Sequence, residues 1–265
     1  MIDSDLIVSL IPQTDMALAR LDRRWVAFTR GLPWPAAGES PTGKRLLWRA
    51  LERNALRKAD AVWATTPVLR DQIDLPGIQL VPAGVAPQPR TWTGEGDRAH
   101  VVWAARFDVD KRPGLFVDVL RSSEFHGVMY GSGPLIEQIR SRAPSNIEVR
   151  GWSDPSELWS NALAYVGTSS REAFGRSAVE AAMNGVPVLL SREFGCAELL
   201  VQDDEFARLF IMDTDDPQKW RDALALLRSD QDLRRAYSQH LVTSSAALTI
   251  EASAMAVRQR LHALT

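Results

Sequence analysis

Ten short runs rich in Val, Ile and Leu alternate with stretches of helical length, and this alternation constrains the fold more than any other feature. A strand buried on both faces reads as continuously apolar, and parallel neighbours need a crossover between them. The pattern therefore predicts an α/β protein whose parallel sheets are covered by helices. The first strands are expected in DLIVSLI, RWVAFT, ADAVWATT and IQLVP, with a helix across KRLLWRALERNALRK, so that residues 1–85 form one reduced Rossmann-like block. Residues 86–98, APQPRTWTGEGDR, mix Pro, Gly, Thr and charge without a period and read as a linker. Six further strands, in HVVWAAR, GVMYGSG, IEVRG, LAYVGTS, VPVLLS and RLFIMD, alternate with patterns such as GLFVDVLR, FGRSAVEAAMN and PQKWRDALALLR. They predict a second Rossmann-like unit over 99–246. The final stretch, 247–265, carries the amphipathic pattern IEASAMAVRQRLHAL, which suits packing on either block.

Composition narrows the classes. Cys196 is the only cysteine, which excludes an internal disulfide, and His100, His126, His240 and His262 are too scattered to suggest a metal cluster. The amino terminus is acidic where a signal peptide is basic, and no apolar run approaches the roughly 20 residues that span a bilayer. A cytoplasmic location is expected, peripheral to a membrane if a basic surface docks there. The net charge of −2 conceals an asymmetry: residues 20–58 hold ten Lys or Arg against Asp22, Glu39 and Glu52, a balance of 10 − 3 = +7.

The most informative stretch runs from Thr168 to Ser191, TSSREAFGRSAVEAAMNGVPVLLS. In a parallel sheet, ligands bind beyond the carboxyl ends of the strands, where Ser169–Gly175 would leave one. A helix starting near Phe174 would offer free backbone N–H groups at Phe174, Gly175 and Arg176 to an anion. Glu172 and Glu180 then lie roughly 12 Å apart along the chain at 1.5 Å per residue, suiting one carboxylate to a sugar and the other to a ribose. The competing reading makes Glu172 a helix-start acid favoured by the dipole and Glu180 an exposed helical residue.

A second cluster, WAARFDVDKRPG, places Arg106 at a strand end and Lys111 five residues later. Two fixed cations there would neutralise a diphosphate leaving group without a metal, unless Asp108 and Asp110 simply pair with them at a solvated strand end. Gly131-Ser132-Gly133 is a further tight turn at the same sheet edge. Asp108-Val109-Asp110 and Asp213-Thr214-Asp215 resemble divalent-cation pairs, but Asp216-Pro217 reads as a helix cap with proline in the first turn, and no metal site is expected.

In KRLLWRALERNALRK, Arg45, Arg49, Arg53 and Arg57 recur every four residues beside Leu47, Leu51 and Ala55. This basic amphipathic helix either packs on the sheet with its charges solvated, lies on an anionic membrane, or meets nucleic-acid phosphates. Trp34 and Trp48 suit either surface partner.

Taken in order, RKADAVWATTPVLRDQI, IQLVPAGVAP, ARFDVDKRPGLFVDVL, YGSGP, VRGWSDPSELW and SSREAFGRSAVEAAMNGVPVLLS resemble the retaining family-four glycosyltransferases of GT-B fold over nearly all of residues 55–245. The resemblance implies two Rossmann-like domains and a nucleotide-diphosphate sugar, a UDP-sugar or GDP-sugar, as donor, with no other cofactor. It implies that Arg106 and Lys111 bind the diphosphate, Glu172 contacts sugar hydroxyls, Glu180 holds the ribose, and Phe174 and Gly175 offer backbone amides. Base contacts would come from loop backbone near Gly131, Gly133 and Gly151. It also implies retention of anomeric configuration, the leaving phosphate helping to remove the acceptor proton. The chain departs from the family in lacking a Gly-rich loop and about two βα units at its start. It also reads Thr29-Arg30-Gly31 where a His-Gly is usual, so that Arg30, Arg45 and Arg49 mark a basic acceptor side. That departure leaves open an accessory subunit that binds a nucleotide sugar without turnover, a lipid-linked acceptor, or a DNA-glycosylating enzyme.

Overall fold

The computed structural model describes residues 5–32, 41–87, 92 and 100–264, apart from the side chains of Pro155 and Ser156. Trp34 and all of the expected linker beyond residue 87 except Trp92 lie outside them. The chain divides into two compact units, residues 1–83 with 253–265, and residues 84–252.

The first unit runs β1 (Ile7–Ser9), α1 (Pro12–Leu18), β2 (Trp25–Thr29), α2 (Thr42–Leu56), β3 (Ala61–Ala64), α3 (Pro67–Ile73) and β4 (Gln79–Leu80). Its four strands are parallel and adjacent in chain order. Each expected strand exists but is shorter than its apolar run, because only the paired core of each run enters the ladder. The helices α1 and α3, each seven residues long, begin with Pro12 and Pro67. Proline fixes φ and needs no hydrogen-bond acceptor in a first turn. The Thr66 hydroxyl accepts from the Leu69 N–H at 3.3 Å to start the second of them. Val26, Phe28, Trp63 and Val81 form a core cluster, against which Val257 and Leu261 of the terminal helix and Leu264 beyond its end pack.

The second unit contains β5 (His100–Ala104), α4 (Pro113–Leu120), β6 (Gly127–Tyr130), α5 (Ile136–Arg142), β7 (Ile147–Val149), α6 (Pro155–Leu158), β8 (Ala162–Gly167), α7 (Arg176–Asn184), β9 (Val188–Ser191), α8 (Ala197–Leu200), α9 (Asp204–Phe210) and β10 (Ile211–Met212). Two helices follow, α10 (Pro217–Ser229) and α11 (Gln231–Ser245), and α12 (Ile250–His262) belongs from Ser253 onward to the first unit. The six strands are parallel in the order β10-β9-β8-β5-β6-β7. The expected six-strand unit is therefore present, and its strand order reverses between β5 and β8. At such a switch point the loops leaving two neighbouring strands diverge and leave a crevice. The first half of the expected strand RLFIMD is helical: the Asp203 carboxylate accepts from the Glu205 and Phe206 N–H groups and starts α9, which runs through Phe210 and leaves two residues for β10.

Candidate functional site

Two loops leave the sheet at its switch point, residues 105–112 after β5 and residues 168–175 after β8. They are tied together by backbone and side-chain bonds. The Ser170 N–H donates to the Asp110 carbonyl at 2.8 Å, and the Thr168 hydroxyl donates to the Lys111 carbonyl at 2.8 Å while accepting from the buried Trp103 indole at 3.0 Å. The Arg112 guanidinium donates through Nε to the Thr168 carbonyl at 2.6 Å and pairs with Asp215. Arg112 holds a left-handed backbone (φ 46°) at the turn into α4, an uncommon conformation for a residue with a side chain. This network sets where Lys111 sits.

Lys111 is the centre of the site. Its ammonium donates to Glu172 Oε2 at 2.9 Å and to the Arg171 carbonyl at 3.2 Å, and it pairs with Asp110 at 3.1 Å. The Lys111 and Glu172 side chains are only 12% and 22% exposed. Two residues 61 positions apart, each singled out by its own motif, thus meet. Glu172 is held by its backbone, which donates to the Glu193 carbonyl at 3.2 Å and accepts from the Gly195 N–H at 2.9 Å. Its carboxylate, after burial itself, helps push the Cys196 thiol and the Tyr165 phenol up, so both remain protonated and neither serves as a nucleophile at neutral pH.

The helix after Glu172 begins at Arg176, two residues later than the sequence pattern places it. Gly175 is its cap with φ 95°, and a Cβ there would lie 2.6 Å from the Phe194 ring. A left-handed residue turns the chain sharply into the helix and leaves no room for a side chain. Among the described residues, no acceptor meets the backbone N–H groups of Phe174, Gly175, Arg176 or Ser177, whereas the Ala178 N–H already bonds to Gly175. These are the donors with which a helix start binds an anion. Glu180 is buried, not an exposed helical residue. Burial pushes its carboxyl up, and Arg176, 3.8 Å away one turn earlier, pulls it back.

Arg106 stands apart from this cluster: its side chain is 70% exposed and its partner is Asp108 at 3.6 Å. Asp108 in turn accepts from the Val109 N–H. In the other Asp-x-Asp string Asp213 pairs with Arg192, Asp215 with Arg112, and Asp216 caps α10 through the Gln218 N–H with Pro217 in the first turn. Among the described residues no three acidic, His or Cys side chains gather as metal ligands.

The glycine turns shape the same sheet edge. Gly131 (φ 134°) and Gly133 (φ 150°) run so close to the β5 loop that a Cβ would lie 1.9 Å from the Ala105 carbonyl oxygen and 2.6 Å from that of Phe107. The Gly131 N–H donates to the Gly151 carbonyl at 3.1 Å, joining the two loops expected to meet a base. An open cleft of about 850 Å³ lies beyond β9 and β10, lined in part by Arg192, Glu198, Arg208 and Asp213, and contains none of the predicted residues.

In the first unit, Arg30 follows β2 with its guanidinium 5.9 Å from the Phe28 ring centroid. Arg45 and Arg49 line a shallow hollow of about 80 Å³ with Thr42 and Leu46. The expected apolar face of α2 splits: Ala55 is buried with Leu56 and Glu52, whereas Leu47 and Leu51 are exposed. Side chains on one helix face recur at three and four residues, and the buried face is the one that carries Glu52, Ala55 and Leu56. The side-chain contacts of Arg112, Thr168 and Arg176 were not expected from the sequence, although the Arg176 backbone N–H was. The Arg176-to-Glu180 spacing of four was the one visible signal for any of them.

No curated protein sequence matches the chain. Solved structures share its fold. Sucrose-phosphate synthase from Thermosynechococcus elongatus is 19% identical with a TM-score of 0.79, over 98% of this chain and 73% of that one. HepE from Anabaena, in complex with UDP and glucose, is 17% identical with a TM-score of 0.75, over 98% and 77%. The pneumococcal O-GlcNAc transferase GtfA, in complex with UDP and GlcNAc, is 16% identical with a TM-score of 0.72, over 97% and 56%. The sequence profile described as glycosyl transferases group 1 matches residues 91–240, more than half of the chain and nearly all of the second unit. The chain therefore belongs to the glycosyl transferases group 1 family and has the GT-B type of α/β fold.

Proposed function

We propose that the second unit binds a nucleoside-diphosphate sugar, UDP-linked or GDP-linked, and that the protein transfers its hexosyl group to an acceptor with retention of configuration. The observation that carries this reading is the contact between Lys111 and Glu172 beside the unoccupied N–H groups that start α7. A diphosphate placed there receives the Lys111 ammonium and the Phe174, Gly175 and Arg176 amides, which stabilise the charge that grows as the glycosidic bond breaks. These cationic and dipolar donors fill the role a metal has in other transferases. Arg106 adds a second, exposed cation from the loop rim.

Glu172, freed from Lys111 as the diphosphate takes its place, accepts from sugar hydroxyls. Glu180 accepts from the ribose, and the backbone around Gly131, Gly133 and Gly151 faces the base. The acceptor hydroxyl attacks the anomeric carbon on the face the phosphate leaves, and the departing phosphate oxygen takes the hydroxyl proton. HepE and GtfA, which share the fold, were solved with UDP, which supports the donor class. The acceptor side is assigned to the first unit, with Arg30, Arg45 and Arg49, and to an anionic acceptor.

The test is a donor panel of UDP-, GDP-, ADP- and TDP-sugars with lipid, glycan and DNA acceptor pools, read by mass spectrometry, with the product anomer fixed by NMR. Transfer abolished by Glu172→Gln supports the reading, and an inverted anomer refutes the retaining course. Donor binding without any transfer or hydrolysis would instead establish the second reading, an accessory subunit, which the basic residue Arg30 after β2 favours.

A further inference from the structure

The solvent face of α2 carries large apolar side chains. Leu46 and Leu47 are each 61% exposed and Leu51 is 45% exposed, and all three lie within six residues. Single exposed leucines are ordinary, but three on adjoining positions of one helix are an apolar patch. Exposed Lys44 lies one turn before Leu47 and two before Leu51, exposed Arg49 lies on the same helix, exposed Arg57 and Lys58 follow its end, and the only acid on the helix, Glu52, is buried. The topology adds to the patch. The helices α1 and α2 each follow one parallel strand and precede the next, so both start on the side of the carboxyl edge of the sheet. The two helices pack together. Leu10 and Ile11, 50% and 54% exposed, sit at the first of those starts.

We infer that this face docks the protein on an anionic lipid bilayer, with the leucines entering the headgroup boundary and the flanking cations meeting the lipid phosphates. Phosphates attract the cations in either partner, but a nucleic acid gives exposed leucines nothing to bury against, and this favours lipid. No described helix is long and apolar enough to cross a membrane, so the contact is peripheral. The inference builds on the reading of this unit as the acceptor side and places it at a surface where a lipid-linked acceptor would lie.

Co-sedimentation of the full chain with phosphatidylcholine vesicles, with and without added phosphatidylglycerol, tests it without any transfer assay. A failure here therefore leaves the donor reading standing. The chain is expected to sediment with the phosphatidylglycerol vesicles only, and to lose about fivefold in partitioning for each of Lys44→Ala and Arg57→Ala. The Leu47→Glu/Leu51→Glu variant, whose changes are at exposed positions, is expected to keep its circular dichroism spectrum and lose sedimentation. No sedimentation by the parent chain, unchanged sedimentation by the leucine variant, or binding to duplex DNA in preference to vesicles would each overturn the inference.

Discussion

Replacing Lys111 by Met and Glu172 by Gln, singly and together, probes the contact on which the site is built. The charged atoms are 2.9 Å apart, and both side chains are mostly buried. At an effective dielectric of 20 their Coulomb attraction is about 6 kcal/mol, most of which is offset by desolvating two charges. The surroundings make the two substitutions unequal. Lys111→Met strips the ammonium from Glu172, Asp110 and the Arg171 carbonyl at once, and should cost about 3 kcal/mol. Glu172→Gln leaves Lys111 with Asp110 and that carbonyl, and its amide oxygen still accepts, so about 1 kcal/mol is expected. The double variant should fall short of the sum by about 1 kcal/mol, since Glu172 is no longer a stranded charge. Thermal unfolding reads all three, with melting points lower by about 6–10 °C for Lys111→Met and about 2–4 °C for Glu172→Gln. In the transfer assay either single change should lower kcat/KM at least about 100-fold. Equal destabilisation by both single variants with a strictly additive double variant would refute the pairing.

Gly131→Ala should cost about 3 kcal/mol or more, because its Cβ would meet the Ala105 carbonyl oxygen at 1.9 Å in a left-handed backbone. Gly151→Ala, where a Cβ meets nothing within 4 Å, should be nearly neutral, and comparable unfolding midpoints for the two would contradict the described turn. Burial raises the Asp15 carboxyl above its ordinary 3.8, with the Ser9 hydrogen bond opposing in part. Its stabilising contribution is therefore complete below the unfolded value and is lost as pH rises through the folded one. Asp15→Asn should accordingly raise the melting point at pH 7 and lose that gain toward pH 3, and a gain that does not change with pH would exclude the burial explanation.

The second unit was legible because its strands are buried on both faces and so read as continuous apolar runs, and because Glu172, Gly175 and Glu180 fall at fixed offsets in one loop-helix segment. Short elements were not: α1 and α3 are seven residues each, too short to show a helical period, and α9 takes the first half of the apolar run RLFIMD, leaving only Ile211–Met212 to β10. Gly175 was recognised as special, but its φ of 95° makes it the cap and shifts the helix start to Arg176. The partnership of Lys111 with Glu172 depends on two crossovers meeting at the β5/β8 switch point, which no local pattern encodes. For the same reason Arg106 and Lys111, neighbours in sequence, separate: one turns to Asp108 at the rim while the other is buried. On α2 the leucines were visible in sequence, but which face is buried is decided by tertiary packing around Glu52, Ala55 and Leu56.

Calorimetric titration of the purified chain with UDP and GDP, repeated on Lys111→Met, tests the central claim most directly. The account predicts saturable one-site binding of at least one of the two, weakened at least about tenfold by the substitution, as loss of a charge-assisted contact to a diphosphate requires. Absence of binding by both nucleotides, or binding that Lys111→Met leaves unchanged, would contradict it.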